Sequence, residues 1–273
     1  MAGVRGRRDP HQWPAMSFLR ALPPPPGWRG QHLKLTLSLL AGLGVVALFS
    51  YWGVAAMVHG SYLTTVVTTG WVTFLVLTCG AVVLVSLGRT TVHTTSAATG
   101  FTVWPDRRFS ALVLAGIIAF IPAGALFAVL ASFGQLDLPL AHSRPGMWAG
   151  LMGFAVFLAV TGLITARRRR GVGHVTLTQT WIENADIVST RITTWNDIVD
   201  VADRAKSTRA PRAVVLRLRE GGEEVIGSAN VYLPGGAALY WLVRHYWKHP
   251  EDREELADDR ASERLLHGRF DLS

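Results

Sequence analysis

The chain has 273 residues, 17% of them charged, a single cysteine and a formal net charge of +8. An ordinary soluble domain carries about 25% charged residues, so a plain water-soluble protein is a poor fit. One cysteine excludes an internal disulfide framework and a multi-cysteine metal site, and a basic chain without zinc-finger spacing or an aromatic–basic RNA motif does not read as a nucleic-acid binder.

Residues 1–32 are polar and carry Arg5, Arg7, Arg8, Arg20, Arg29 and the run Pro23-Pro24-Pro25-Pro26. Proline removes backbone donors and favours an extended path, so this stretch reads as a disordered cytoplasmic tail. It is too long and too interrupted for the basic region of a secretory signal.

Residues 33–169 form the membrane domain. Four apolar runs follow one another, at about Leu35–Val58, Tyr62–Leu87, Ala111–Phe133 and Met147–Ala166, and none contains Asp, Glu, Lys, Arg or His. Roughly 20 apolar residues cross a bilayer core. Backbone groups in lipid must pair within their own segment, so each run is expected to be a helix.

The charge of the connections gives an orientation. His59-Gly60-Ser61 is a tight turn, and the loop 134–146 carries only Arg144. The tail, Lys34, Arg89, Arg107, Arg108 and the run Arg167-Arg168-Arg169-Arg170 all fall on the other side. Basic residues stay inside. Both termini are therefore expected in the cytoplasm of a plasma-membrane protein, with Arg107, Arg108, Arg167, Arg168, Arg169 and Arg170 as inner-side anchors. The basic charge finds its partner in the anionic inner leaflet. Trp52, Tyr62 and Trp148 are expected near the outer interface and Trp104 near the inner one.

Within the runs, Gly146, Gly150 and Gly153, and separately Ala115, Ala119 and Ala123, form small-residue stripes that permit close helix approach, within one chain or between copies in a homo-oligomer. Pro122 is expected to kink the third helix. Cys79 reads as an apolar filler. Thr64, Thr65, Thr68, Thr69, Thr73 and Thr78 crowd the second helix; their hydroxyls can bond back to their own helix and need not line a pore. No ionisable residue lies within the runs, as an ion-coupled transporter would need.

Residues 170–249 change pattern. Val175 and Leu177 alternate with threonines. Short strands follow at Trp181-Ile182, Arg191–Trp195, Ile198–Val201, Ala213–Arg219 and Glu224–Gly227, with a turn at Glu220–Glu223. Short strands separated by turns predict an antiparallel sheet with one wet face. Pro234-Gly235-Gly236 opens a final helix with Leu239, Leu242, Val243 and Tyr246 on one face. Residues 250–273 are a charged tail, a short exposed helix or frayed chain.

Strands closed by one C-terminal helix resemble a bacterial pleckstrin-homology-like (PH-like) domain. The local match is Thr178 to Ile182, then Ile192, Trp195, Asp197 and Ile198. The segment His245-Tyr246-Trp247-x-His249-Pro250-x-x-Arg253-x-Glu255-Leu256 resembles the end of many actinobacterial multi-pass proteins of unknown function. The resemblance covers about residues 172–257 and implies a fold, not an activity. Phosphoinositide-binding members carry basic residues at the first hairpin; here Thr178–Asp186 has none, and Glu183 and Asp186 stand there instead. The densest basic cluster within this domain, Arg204, Lys206, Arg209 and Arg212, is the candidate contact for anionic headgroups or a protein partner.

The loop 88–110 supports one further expectation. Thr99-Gly100-Phe101-Thr102-Val103 matches Thr180-Trp181-Ile182-Glu183 in pattern, and each follows a pair of apolar runs. The chain then reads as a decayed duplication, with a hairpin at 92–104 docked on the C-terminal sheet edge; the alternative is a polar loop.

No catalytic constellation is expected. His245 and His249 share a helix face, but the glutamate that follows the first histidine in zinc proteases is replaced by Tyr246. His93 and His174 lie on separate segments. The reading is a non-enzymatic multi-pass membrane protein without cofactor or metal, whose cytoplasmic domain binds a protein partner or the membrane surface. The alternative is a small transport or permeability protein that works through its helices.

Overall fold

The computed structural model describes residues 18, 19, 21–28, 31–134, 144–169, 171–186, 189–206 and 210–272. The described chain divides into a helical unit, within 30–84 and 107–172, and a sheet unit, within 1–29, 85–106 and 173–273.

The helical unit holds α1 (Gln31–Val58), α2 (Tyr62–Ser86), α3 (Arg107–Ser132) and α4 (Pro145–Arg168). All four are long and apolar enough to cross a membrane. Val67 near the start of α2, Phe127, Leu130 and Ala131 near the end of α3, and Met152 near the start of α4 pack in one cluster, with Trp52 and Trp148 partly buried against it. Ends and starts therefore alternate, and the helices run up and down. Arg107 and Arg108 open α3, Arg167 and Arg168 close α4, and all four are exposed at the opposite end. An aromatic core fills the middle. Phe49 stacks on Trp71 with centroids 5.2 Å apart, and Trp71 meets Phe120 at 5.9 Å and Phe127 at 5.8 Å.

Helix α2 approaches α3 closely because Gly70 faces Ala123. The alanine stripe of α3 is thus used within the chain. The glycines of α4 are not: a Cβ added at Gly146, Gly150 or Gly153 would meet nothing within 4 Å. α3 continues through Pro122. Cys79 packs beside Gly42.

The sheet unit has two antiparallel sheets. The first is a meander of β1 (His93–Ala97), β2 (Gly100–Trp104), β3 (His174–Leu177), β4 (Trp181–Ala185) and β5 (Thr190–Thr194). The second is β6 (Ile198–Ala202), β7 (Val214–Leu218) and β8 (Glu223–Ile226). Helix α5 (Ala237–Lys248), a 3₁₀ segment (Pro250–Ala257) and α6 (Arg260–His267) complete it. Gly235 and Gly236 open α5 with φ of 74° and 82°, a left-handed turn that a side chain resists.

The loop 88–110 is a hairpin, and it docks. β2 pairs antiparallel with β3, placing Phe101 opposite Leu177 and Val103 opposite Val175. All four side chains are fully buried in one core. Without the hairpin, β3 would present a bare edge. The order helix, helix, hairpin thus occurs twice, and the two hairpins lie side by side. Trp104 closes β2, where its indole donates to Thr95 Oγ1 at 3.0 Å.

Three further features differ from expectation. Of the stretch 1–32, residues 1–17, 20, 29 and 30 lie outside the described residues, but Leu19, Leu22 and Trp28 are buried in the core of the sheet unit. The segment is not a tail there, because its apolar side chains have a covered place to go. Helix α5 is buried on nearly every side, Ala237–Val243 throughout, rather than on one face. Its second side is covered by Trp28 and by Leu256, Ala261 and Leu265 of the C-terminal segment. Residues 250–267 are therefore packed helix, not an exposed tail.

Candidate functional site

The basic cluster does not form one free patch. Arg204 is exposed but engaged by the N-terminal segment, its Nε donating to the Gly27 carbonyl at 3.1 Å. Lys206 is exposed, and its backbone N–H donates to the Glu223 carboxylate at 2.8 Å. Arg212 is half-buried in a left-handed turn with φ of 47°. Burial holds its guanidinium below the ordinary value, and its carbonyl accepts from Ala229 N–H. Arg209 lies outside the described residues, as does Arg170. Arg169 is half-buried just after α4. The charge pattern located this loop but could not show that Arg204 is committed to another part of the chain.

The histidine pair is brought together, with ring centroids 4.7 Å apart. Each ring is engaged by carboxylates instead of sharing an open position. His245 Nε2 meets Asp252 Oδ2 at 2.9 Å, while its Nδ1 accepts the Asp271 backbone N–H at 3.4 Å. That assigns the proton of the neutral ring to Nε2. Arg264 joins the same cluster, with Glu255 Oε2 at 2.6 Å and Asp252 Oδ2 at 3.0 Å. The Tyr246 hydroxyl donates to Glu255 at 3.3 Å. Burial, with Arg264 beside it, holds the His245 imidazole below its usual range. Burial and Glu255 push the Tyr246 phenol well up. The Glu255 carboxylate raises Arg264. The network clamps α5 to the 3₁₀ segment and α6. Among the described residues no group of three or more His, Cys, Asp or Glu is placed to hold a metal ion.

His93 and His174 do not meet. Trp104 stands between them, paired with His93 across β1 and β2 and lying 4.9 Å from the His174 ring. In α2 the hydroxyls of Thr65, Thr68, Thr69, Thr73 and Thr78 each donate to the carbonyl one turn earlier, at 2.8–3.2 Å. They satisfy themselves within the helix, so the threonine content does not by itself make a polar path.

A shallow cavity of about 210 Å³ lies between the tips of the two hairpins, Ala98–Gly100 and Thr178–Trp181, and Leu256 and Ala257. Its lining bears no charge. The Trp195 indole donates to the Thr178 carbonyl at 2.8 Å, and Arg253 lies over the Trp195 ring at 4.7 Å. This Trp195 is the tryptophan of the PH-like match, and it pins the second hairpin.

The surface that sequence reasoning missed surrounds residues 22–28. The Trp241 indole donates to the Pro23 carbonyl at 2.9 Å. The Trp28 indole donates to the carbonyls of Asp203 at 3.1 Å and Ala213 at 3.3 Å. The Asp203 carboxylate accepts Gly27 N–H at 2.6 Å. The available signal was Leu19, Leu22 and Trp28 flanking the prolines: large apolar side chains in a stretch otherwise too polar to need them.

The chain matches no family model, no curated protein and no solved structure.

Proposed function

We propose that this is a non-enzymatic integral protein of the plasma membrane that holds a protein partner at the cytoplasmic surface through its sheet unit. The observation that carries the reading is the way the sheet unit is built. Its three chain segments are separated by the helix pairs α1–α2 and α3–α4, so the chain passes between the two units before α1, after α2, before α3 and after α4. Four crossings of the chain tether the module to the helices, where a module on one flexible linker has a single tether. Fixing it beside the bilayer raises its effective concentration for other membrane components.

Orientation follows from charge. Arg107, Arg108, Arg167 and Arg168 share one end of the helical unit, which the positive-inside rule assigns to the cytoplasm, and both termini go with it. The two antiparallel sheets and α5 support a PH-like architecture, extended by the β1–β2 hairpin. Exposed Lys206 is left to touch headgroups, at about 1 kcal/mol per basic residue near the surface. The glycine stripe of α4 lies on the outside of the bundle, the face a second copy would use. The transport reading loses support from the self-bonded threonines and from the lack of ionisable side chains within the runs.

Crosslinking of the full-length protein in native membranes, followed by mass spectrometry, tests the reading. One protein recovered reproducibly through residues of the sheet unit is the expected result. Adducts only through the helices, or none that reproduce, contradict it.

A further inference from the structure

We propose that the sheet unit contains a binding site for a proline-rich protein segment ending in a single 3₁₀ turn, which residues 22–28 of the chain occupy in cis. The inference rests on reading the sheet unit as a partner-binding module, and it names the partner's chemistry.

The receiving side is formed by residues 203, 204, 213, 240 and 241, some 175 to 218 positions from the segment they hold. The segment forms no strand. Its own backbone makes one short turn, closed by Trp28 N–H to the Pro25 carbonyl at 3.0 Å. Pro23, Pro24 and Pro26 are exposed, whereas Leu22, Pro25, Gly27 and Trp28 are buried. Trp28 sets its ring edge-on to Tyr240, with centroids 6.2 Å apart. Asp203 and Arg204 grip both polar groups of Gly27, the first taking its N–H and the second giving to its carbonyl. A Cβ at Gly27 would come 2.5 Å from Asp203 Oδ1, so any other residue there forces the gripping side chains to shift.

The contact shares one element with aromatic-lined grooves that take proline-rich segments: an indole N–H, that of Trp241, donates to a prolyl carbonyl, that of Pro23. Proline supplies a pre-extended backbone at little entropic cost and leaves carbonyls free for indole donors. A sheet pairing would run through backbone ladders that prolines cannot join. The site is thus selective for prolines followed by glycine and a large aromatic residue, and a partner carrying such a segment competes with the chain's own. Occupancy in cis lowers the apparent affinity for a competitor by the fraction of time the site is filled.

The test uses the full chain in detergent and a fluorescent synthetic peptide of residues 19–28. Trp28→Ala and, separately, the milder Gly27→Ala weaken the cis segment. Each is expected to bind the peptide about tenfold or more tightly than the wild-type chain. Adding Trp241→Phe to either variant is expected to remove most of that gain. Equal binding by wild type and both variants overturns the proposal. So does failure of both variants to bind while circular dichroism and limited proteolysis show an intact sheet unit. If both variants unfold the sheet unit, the segment is a fixed part of the core and the site does not exist. None of these outcomes bears on membrane orientation, which is read separately.

Discussion

Glu224 is one of few buried carboxylates in the sheet unit, 5% exposed, and it joins the two sheets. It accepts from Asn184 Nδ2 of β4 at 2.8 Å and pairs with Arg191 of β5 at 3.0 Å. Arg191 is well exposed, so the Asn184 bond matters more. Glu224→Ala is expected to cost about 1–3 kcal/mol, and Glu224→Gln, which keeps an acceptor, less; denaturant unfolding followed by tryptophan fluorescence reads the difference. His245 gives the sheet unit a pH dependence. Its folded pKa lies below the ordinary 6.5, so the unfolded chain binds the proton more readily. Its contribution is complete above about pH 6.5 and is lost as pH falls below that value. His249 has the opposite sign, because Glu251 raises it, but it is more exposed and weighs less. Stability is expected to fall from pH 7 to pH 5, and His245→Gln to flatten the fall. An unchanged slope in the variant contradicts the assignment.

At the scale of elements, the β1–β2 hairpin is the piece on which the first sheet depends. Phe101→Ala is expected to cost about 3–5 kcal/mol, as for other fully buried aromatic side chains. A fragment of residues 172–257, the extent of the PH-like resemblance, lacks the hairpin and residues 18–28. It is expected to elute as aggregate in size-exclusion chromatography, since the β3 edge is bare; a monodisperse folded fragment contradicts this. In the helical unit, Gly70→Val drives a side chain into Ala123 and is expected to cost about 1–3 kcal/mol in detergent melts. The sequence made some of these elements plain and hid others. Val175 and Leu177 alternate with threonines, and an alternating run can be assigned by eye. The hairpin showed only as a match between Thr99–Val103 and Thr180–Glu183. The packing of residues 22–28 was hidden for a physical reason. Indole N–H groups meeting backbone carbonyls far away in sequence leave no periodic pattern, and a proline run alone reads as solvated chain. Helix α5 read as one-sided because the residues covering its other side come from the two ends of the chain.

At the scale of the molecule, charge and apolarity are separated. The helices carry the uncharged runs, and the described basic residues Arg107, Arg108, Arg167 and Arg168 gather at one end of them. This was fully legible, since burying an ionisable group in hydrocarbon is costly enough to write itself into composition. The way the chain returns to the sheet unit after each helix pair was legible only in part, because pairing partners distant in sequence are not marked by either segment alone. The central claim is that the helices cross the membrane with the sheet unit on the basic side. Single-cysteine chains in a Cys79→Ala background, with cysteine at Ser61 or at Ser228, test it with a membrane-impermeant maleimide. In intact cells the label is expected on position 61 alone, and on position 228 only after the membrane is broken. Labelling of position 228 in intact cells, or protection of position 61 throughout, contradicts the account.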